Sequence, residues 1–306
     1  MRDRATRLAA TLVAVLLSAP RLLWAQAAPA FPVTGLVQDQ RTVMKAVAVA
    51  VVSLVALAVS RPGVASAEPV AVRQVEGLVH GFLVLRSSEG AVLASGDLIQ
   101  VARGNRVTSR LVFHFKDGSL HDETAVFSQA GHFRLLSDHL VQRGAAFERP
   151  LDMTIDRRRG RVTVRYTDDG KEKVEVEQME LPLDLANGMI ITLLKNVRPD
   201  ALPPSVSFIA ATPKPRVVKL VISAAGAEPF TLAGSARRAM HYVVKVDIGG
   251  LSGLLAPLLG KQPPDSHVWI LGGEAPAFVK SEAALFLGGP LWRTELVSPV
   301  WPRSRR

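Results

Sequence analysis

Two short polar segments contain the residue types that could support chemistry. The first, residues 117–124, includes Asp117, His121, Asp122 and Glu123. If the chain is extended there, side chains alternate, so that His121 and Glu123 share one face and Asp122 lies on the other. An imidazole beside a carboxylate can bind a metal or act as a base with its orienting group. A hairpin rim with solvated charges is the simpler interpretation of this polar cluster.

The second segment, residues 260–269, contains two consecutive prolines, which stiffen a loop. Lys261, Asp265, His267 and Trp269 would then present a cation, a carboxylate, an imidazole and an aromatic ring at the mouth of a cavity. That set of groups suits a polar head group. We therefore predict ligand binding at these four residues, with a structural loop that buries Trp269 as the alternative.

The common catalytic and metal-binding motifs do not occur in the sequence. The chain contains no Cys, which excludes disulfides, thiolate metal sites and a Cys nucleophile. Its seven His form neither H-E-x-x-H nor H-x-H, and no G-x-S-x-G elbow is present. We predict no catalytic residue, no metal and no cofactor, so the sequence favours a non-enzymatic protein over an enzyme.

The first 67 residues have the pattern of addressing segments rather than of a folded domain. Residues 44–67 begin Met-Lys, continue with the predominantly apolar 14-residue run Ala46–Val59, and end Ala-Ser-Ala at Ala67. Fourteen helical residues span about 21 Å, too short for a hydrocarbon core of about 30 Å. We predict a signal peptide at 44–67, preceded by an over-long extension at 1–43. The rival interpretation starts translation at Met1.

The predicted leader accounts for much of the positive charge. The chain has 37 basic and 27 acidic residues, and seven of the basic and two of the acidic ones precede residue 68. The remaining chain therefore has 30 basic and 25 acidic residues, a net charge of +5. Such a balance gives no support for nucleic-acid binding. We predict a secreted or periplasmic protein with a single β-rich domain at 68–302 and a short basic tail at 303–306.

Alternation with period two predicts strands along most of this domain. It is clear in Arg106–Phe115, Arg161–Thr167 and Lys171–Glu177. Asp169-Gly170 lies between the last two, and this pair supplies the positive φ that a tight hairpin requires. We predict about a dozen strands in total.

One central segment breaks the strand pattern. Asp184–Val197 has Asp184 as a candidate N-cap, an apolar stripe, and Pro199 after its end, which predicts a helix. Strands before and after one helix argue against repeated β-α units. The predicted fold is mainly β: a curved antiparallel sheet or open barrel, with the helix plugging or lining its concave side. The sequence leaves open whether the interior is a cavity or is filled by side chains.

The order of these features resembles that of secreted bacterial β-domain families of unknown function. Their architecture is distantly similar to that of the LolA/LolB-like lipoprotein carriers. The resemblance rests on five features between about residues 75 and 300: Leu181-Pro182, Asp184–Val197, Asp265–Leu271, Pro276–Lys280 and Gly288–Arg293. It implies a hydrophobic concave side and an acyl or lipid ligand. The missing Cys departs from LolB, which is a lipoprotein.

Together these features predict a secreted, non-enzymatic protein that binds an apolar or amphiphilic, lipid-like ligand in its curved sheet. A structural or interaction module of the cell envelope, with an envelope protein as its partner, is the second interpretation. A hydrolase that uses His121, Glu123, Asp265 or His267 is the third.

Overall fold

The computed structural model describes residues 68–203, 205–232, 235–247 and 263–297. All of them belong to one compact unit, Pro62–Arg306. A second unit, Met1–Arg61, lies outside the described residues. The predicted extension, the signal peptide and the basic tail therefore fall outside them as well.

The described residues form a 14-stranded sheet and one α-helix. The helix α1 is Ile190–Asn196, between the eighth and ninth strands. The strands are β1 Val79–Arg86, β2 Val92–Arg103, β3 Arg106–Phe115, β4 Leu120–Ser128, β5 Arg134–Arg143, β6 Leu151–Asp156, β7 Arg161–Asp168, β8 Lys171–Gln178, β9 Val206–Ala210, β10 Arg216–Leu232, β11 Ser235–Asp247, β12 Ser266–Leu271, β13 Ala277–Ala283 and β14 Trp292–Leu296.

The sheet is an antiparallel meander in which the first strand, β1, lies near the middle. Strand β1 pairs with β2 on one side and with β14 on the other. Strands β2–β8 follow in order towards one edge, and β13–β9 follow towards the other. Strands β8 and β9 are the two edges, so the curved sheet does not close. The predicted mainly β fold is confirmed, with fourteen strands where about a dozen were predicted.

Sequence alternation places the strands correctly. Strand β3 coincides with the predicted segment Arg106–Phe115, and Phe113 and Phe115 point into the core. The hairpin between β7 and β8 turns at Asp169 and Gly170, whose φ angles are 50° and 71°. Both central residues thus have the positive φ of a tight two-residue hairpin turn.

The helix is shorter than predicted because Gly188 interrupts it. Helix α1 starts at Ile190 rather than near Asp184. Gly188 has a φ of 64°, which is left-handed and incompatible with a continuous right-handed helix. The prediction that Asp184 caps the helix was wrong: the residue before the helix is Met189, which makes no side-chain cap.

Residues 184–187 instead cover the edge strand β9. The backbone N–H of Ala186 donates to the carbonyl of Ser207 at 2.9 Å. The Asn187 side chain accepts from the N–H of Ile209 at 2.8 Å and donates to its carbonyl at 3.0 Å, as a paired strand would. Side-chain contacts therefore satisfy backbone groups at this edge.

Helix α1 and the residues before it fill much of the concave side. Met189, Leu193 and Leu194 are buried in the main core beside inward-facing residues of the sheet, such as Phe127 and Ile155. The helix and the inner face of the sheet thus share one hydrophobic core. A small second cluster, formed by Ala239, Trp269 and Val279, lies on the outer face of β11–β13. No helix in the described parts of the chain has the length and apolar character needed to cross a lipid bilayer.

Candidate ligand cavity

A cavity of about 330 Å³ remains between the C-terminal end of α1 and strands β10–β12. Leu194, Tyr242 and Ile270 contribute its inner apolar wall and belong to the main core. Exposed residues, including Arg73 and Arg238, surround its rim. The concave side is thus filled around the helix but open at this end.

The apolar wall follows from strand alternation. Met240 and Tyr242 are two apart in β11 and therefore share its inner face. Ile270 of the neighbouring β12 pairs with Met240, which brings both side chains to the same wall. Leu194 of α1 closes the wall from the helix side and is only 1% exposed. An apolar surface of this kind suits an alkyl chain.

Three cationic side chains line the same cavity: Arg73, Lys195 and Arg238. Lys195 is already neutralised, because its Nζ lies 2.6 Å from the buried carboxylate of Glu76. Gln100 also donates to that carboxylate, at 2.7 Å. Arg73 and Arg238 are the two cations without a carboxylate partner in the described residues, and the guanidinium of Arg238 also donates to the carbonyl of Ala227.

The segment that contains Arg73 is tied to the helix by one asparagine. The Oδ1 atom of Asn196 accepts from the backbone N–H groups of Arg73 and Gln74, at 2.9 and 2.7 Å. Its Nδ2 donates to the carbonyl of Thr192 at 2.9 Å. Asn196 thus positions one wall of the cavity against the other.

Tyr242 adds a polar group to the apolar wall. The residue is 3% exposed, and its burial raises the pKa of the phenol, an effect that the nearby charge of Arg73 partly offsets. The hydroxyl group therefore stays protonated at neutral pH. Together with Arg73 it provides a hydrogen-bond donor and a cation at one side of the cavity.

The predicted binding loop is only partly described. Lys261 lies outside the described residues. Asp265 forms an ion pair with Lys245, whose Nζ is 3.1 Å from Oδ2, rather than pairing with His267. His267 and Trp269 do lie together, with ring centroids 6.1 Å apart. Neither is among the residues that line the cavity, and ligand binding at these residues stays a prediction.

His267 and Trp269 belong instead to a polar cluster on the outer face. Trp269 is 7% exposed, and His241 stacks on it with centroids 4.3 Å apart. Glu228 accepts from Trp269 Nε1 at 2.8 Å and contacts His241 Nδ1 at 2.8 Å. The hydrogen bond from Trp269 is the main cause of the lowered pKa of Glu228, and the charge of His241 lowers this pKa further. His241 Nε2 in turn lies 2.9 Å from His267 Nδ1.

The structure separates the four residues of the polar cluster 117–123. Asp117 accepts from the backbone N–H of Ser119 at 2.9 Å, and this bond lowers its pKa. Asp122 lies on the outer face, where Arg110 donates to it at 2.6 and 2.9 Å and lowers its pKa. Both acids are satisfied by local partners, as the solvated-rim interpretation expects.

His121 and Glu123 face inward from the same strand. Burial lowers the pKa of His121 to about 4, and its Nδ1 lies 3.1 Å from Nε2 of Gln142. Burial raises the pKa of Glu123 to about 7, although the N–H of Gly188 opposes this by bonding to its carboxylate. At neutral pH the His121 side chain is therefore uncharged, whereas that of Glu123 is about half ionised.

A fully buried acid lies diagonally across from the half-buried Glu123. Asp138 is 1% exposed, and burial followed by the charge of Glu123 raises its pKa well above the usual range. Among the described residues, the buried side-chain atoms without a hydrogen-bond partner are Nε2 of His121, both oxygens of Asp138 and Oε1 of Gln142. No cluster of three or more metal-ligating side chains occurs in the described residues.

The sequence analysis missed the residues that line the cavity. Arg73, Lys195 and Arg238 were not selected there as candidate binding residues. Arg238 could have been identified from the alternation of β11, because it is two residues from Met240 and therefore lies on the same face of the strand. The diagonal placement of Asp138 beside Glu123 could not be found, because it depends on the register between β4 and β5.

No family model matches the chain, and no curated protein matches it either. The chain is similar to a solved structure described as a β-barrel-like protein of Domain of Unknown Function DUF1849 from Brucella abortus. The two are 9% identical, with a TM-score of 0.42, and the match covers 75% of this chain and 100% of that chain. The resemblance to LolA/LolB-like carriers stays a prediction.

Proposed function

We propose that this protein binds an anionic amphiphile in the cavity between α1 and strands β10–β12. The observation that supports this most is the combination of an apolar wall, formed by residues such as Met240 and Ile270, with the cations Arg73 and Arg238 at the rim. An acyl chain would pack against the wall, and a carboxylate or phosphate head would face the guanidinium groups. Guanidinium groups form strong, charge-assisted hydrogen bonds with both kinds of anion.

The size of the cavity limits the ligand. A volume of about 330 Å³ lies at the lower end of the range of about 300–1,000 Å³ that is usual for small-molecule sites. One short or medium acyl chain is the appropriate occupant, rather than a whole two-chain phospholipid. This proposal concerns binding alone and includes no chemical step.

Export of the protein is part of the proposal. The residues at 44–67 support it by their sequence pattern, which has the charged start, short apolar run and small-residue end of a signal peptide. We propose a secreted or periplasmic location, where amphiphile binding would serve the cell envelope. Intact mass measurement of the protein from its natural host should give a chain that starts at Glu68. A chain that retains Met1 would contradict this part of the proposal.

A second candidate function is supported by the filled interior around α1. Because Met189, Leu193 and Leu194 occupy the concave side, most of the sheet has no room for a guest. A structural or interaction module of the envelope would need no cavity. A reproducible absence of any bound amphiphile, together with a stable protein partner, would favour this function.

Native mass spectrometry of gently purified protein tests the binding proposal. We expect a population with one extra small mass that is released by collisional activation and identified as an anionic amphiphile. The double variant Arg73→Ala with Arg238→Ala should lose this population, whereas Arg237→Ala, on the outer face, should keep it. If the wild type, the double variant and Arg237→Ala, each purified from the natural host, all lack a bound amphiphile, the proposal is overturned.

A further inference from the structure

Strand β8 is an edge of the sheet, and in the described residues no strand pairs with its outer side. An edge strand presents unpaired N–H and C=O groups that can pair with another strand. The opposite edge, β9, is already covered by the Asn187 side chain and its neighbours. The two edges of the sheet are therefore not equivalent.

The side chains of β8 include exposed apolar groups. Val174 is 51% exposed and Val176 is 53% exposed, although valine is usually buried in a sheet. Both project to the same face of the strand, because they are two residues apart. A partner strand on the outer edge would cover part of both side chains.

The other face of β8 contains charges in a definite order. Lys171 and Lys173 come first, and Glu175 and Glu177 follow at the same spacing. In an antiparallel pair of two such strands centred on Val174, Lys171 faces Glu177 and Lys173 faces Glu175. Opposite charges at directly paired positions stabilise a sheet.

Other registers of the same pair are disfavoured. A pairing centred on Glu175 places that residue opposite its own copy, and one centred on Lys173 does the same for the lysine. Parallel pairing in register places every charge opposite its own kind. Like charges at directly paired positions destabilise a sheet, so the charges select one antiparallel register.

We propose that the outer edge of β8 pairs with β8 of a second copy of this chain, antiparallel and centred on Val174. The two sheets then continue into each other through a twofold axis at that residue. Charges on an edge strand usually prevent unspecific pairing. Here the order of the charges instead favours one partner, strand β8 of another copy in the antiparallel orientation. Lys173 also contacts Asp168 within the chain. That exposed pair is a weak competitor.

Sedimentation equilibrium of the purified full chain tests this dimer. We expect a concentration-dependent dimer for the wild type. Lys173→Glu should raise its dissociation constant about tenfold or more, because the twofold axis doubles each new repulsion. The combined exchange Lys173→Glu with Glu175→Lys should restore the dimer, since the charges are again complementary. Lys116→Glu, on an exposed turn outside the edge, should leave it unchanged.

Circular dichroism of each variant establishes that the sheet is folded. A monomeric wild type at every concentration would overturn the proposal, and so would a dimer that Lys173→Glu does not weaken. Failure of the folded exchange variant to recover dimerisation would overturn the charge-selected register. The readout does not involve the cavity, so it is independent of ligand binding.

Discussion

Arg237 and Arg238 are neighbours in sequence but lie on opposite faces of strand β11. Arg238 lines the cavity. Arg237 is two residues from Ala239, which is buried in the outer cluster, so Arg237 lies on the outer face. The two residues have the same charge and are both exposed. They therefore form a matched pair in which one substitution removes a cation from the cavity and the other does not.

We expect Arg238→Ala to weaken the binding of decanoate, and Arg237→Ala to leave it unchanged. The loss of one charge-assisted hydrogen bond corresponds to about 1.5–3 kcal/mol, which is roughly a tenfold to hundredfold rise in Kd. Isothermal titration calorimetry of both variants measures this difference. Equal effects of the two substitutions would mean that long-range charge, and not the cavity, attracts the anion.

Asn196 connects the segment of Arg73 to helix α1, and its loss should affect both stability and binding. Asn196→Ala removes the acceptor of two part-buried backbone N–H groups, at a cost of about 0.5–1.5 kcal/mol for each hydrogen bond. Asn196→Asp keeps the acceptor atom and should retain more of the stability. Urea unfolding of the two variants measures the difference. If both are equally stable, the hydrogen bonds to Arg73 and Gln74 contribute nothing.

Gly188 is required both by its backbone conformation and by the space around it. A Cβ atom there would lie 2.6 Å from Cβ of Ala125 and 3.0 Å from Oδ1 of Asp138. Gly131 also has a positive φ, of 74°, but a Cβ there would have no neighbour within 4 Å.

Gly131→Ala is thus the control for backbone strain alone, which costs about 1–2 kcal/mol. We expect Gly188→Ala to reduce the free energy of unfolding by at least about 2 kcal/mol more than the control, because overpacking adds to the strain. Urea unfolding of both variants tests this. Similar losses would show that the residues around Gly188 move aside at little cost.

The half-buried Glu123 and the buried Asp138 predict a pH dependence of stability. Glu123 has a folded-state pKa raised to about 7 from 4.5, so the folded chain holds its proton more tightly than the unfolded chain does. This contribution is fully present below pH 4.5 and is lost as the pH rises through about 7. Asp138 is shifted in the same direction.

Glu123→Gln removes this titration but keeps an acceptor for the N–H of Gly188. The stability of the variant relative to the wild type should therefore increase between about pH 5 and pH 8, by a few kcal/mol. The opposite effect of His121, whose folded pKa is lowered, is common to both proteins and cancels in the comparison. Denaturant unfolding across this pH range tests the prediction, and a constant difference would contradict it.

Local patterns predicted the strands and the hairpin at Asp169-Gly170 well, because alternation and turn chemistry depend on neighbouring residues. The extent of the helix was predicted less well. Gly188 combines a positive φ with a close approach to Ala125 and Asp138, which are distant in sequence and are not seen by a local pattern. The cavity also depends on residues that are distant in sequence. Arg73 and Arg238 line it together because the pairing of β1 with β14 joins the two halves of the sheet.

The comparison of decanoate with decanol, by calorimetry on the delipidated chain, tests the central claim most directly. The two ligands have the same chain length and differ in the charge of the head group. We predict that the acid binds with one site per chain and about tenfold or more tighter than the alcohol, because only the acid forms charge-assisted bonds. Met240→Trp, which fills the cavity, should abolish binding of both. Equal affinity for acid and alcohol, or unchanged binding by Met240→Trp, would contradict an anionic amphiphile site in this cavity.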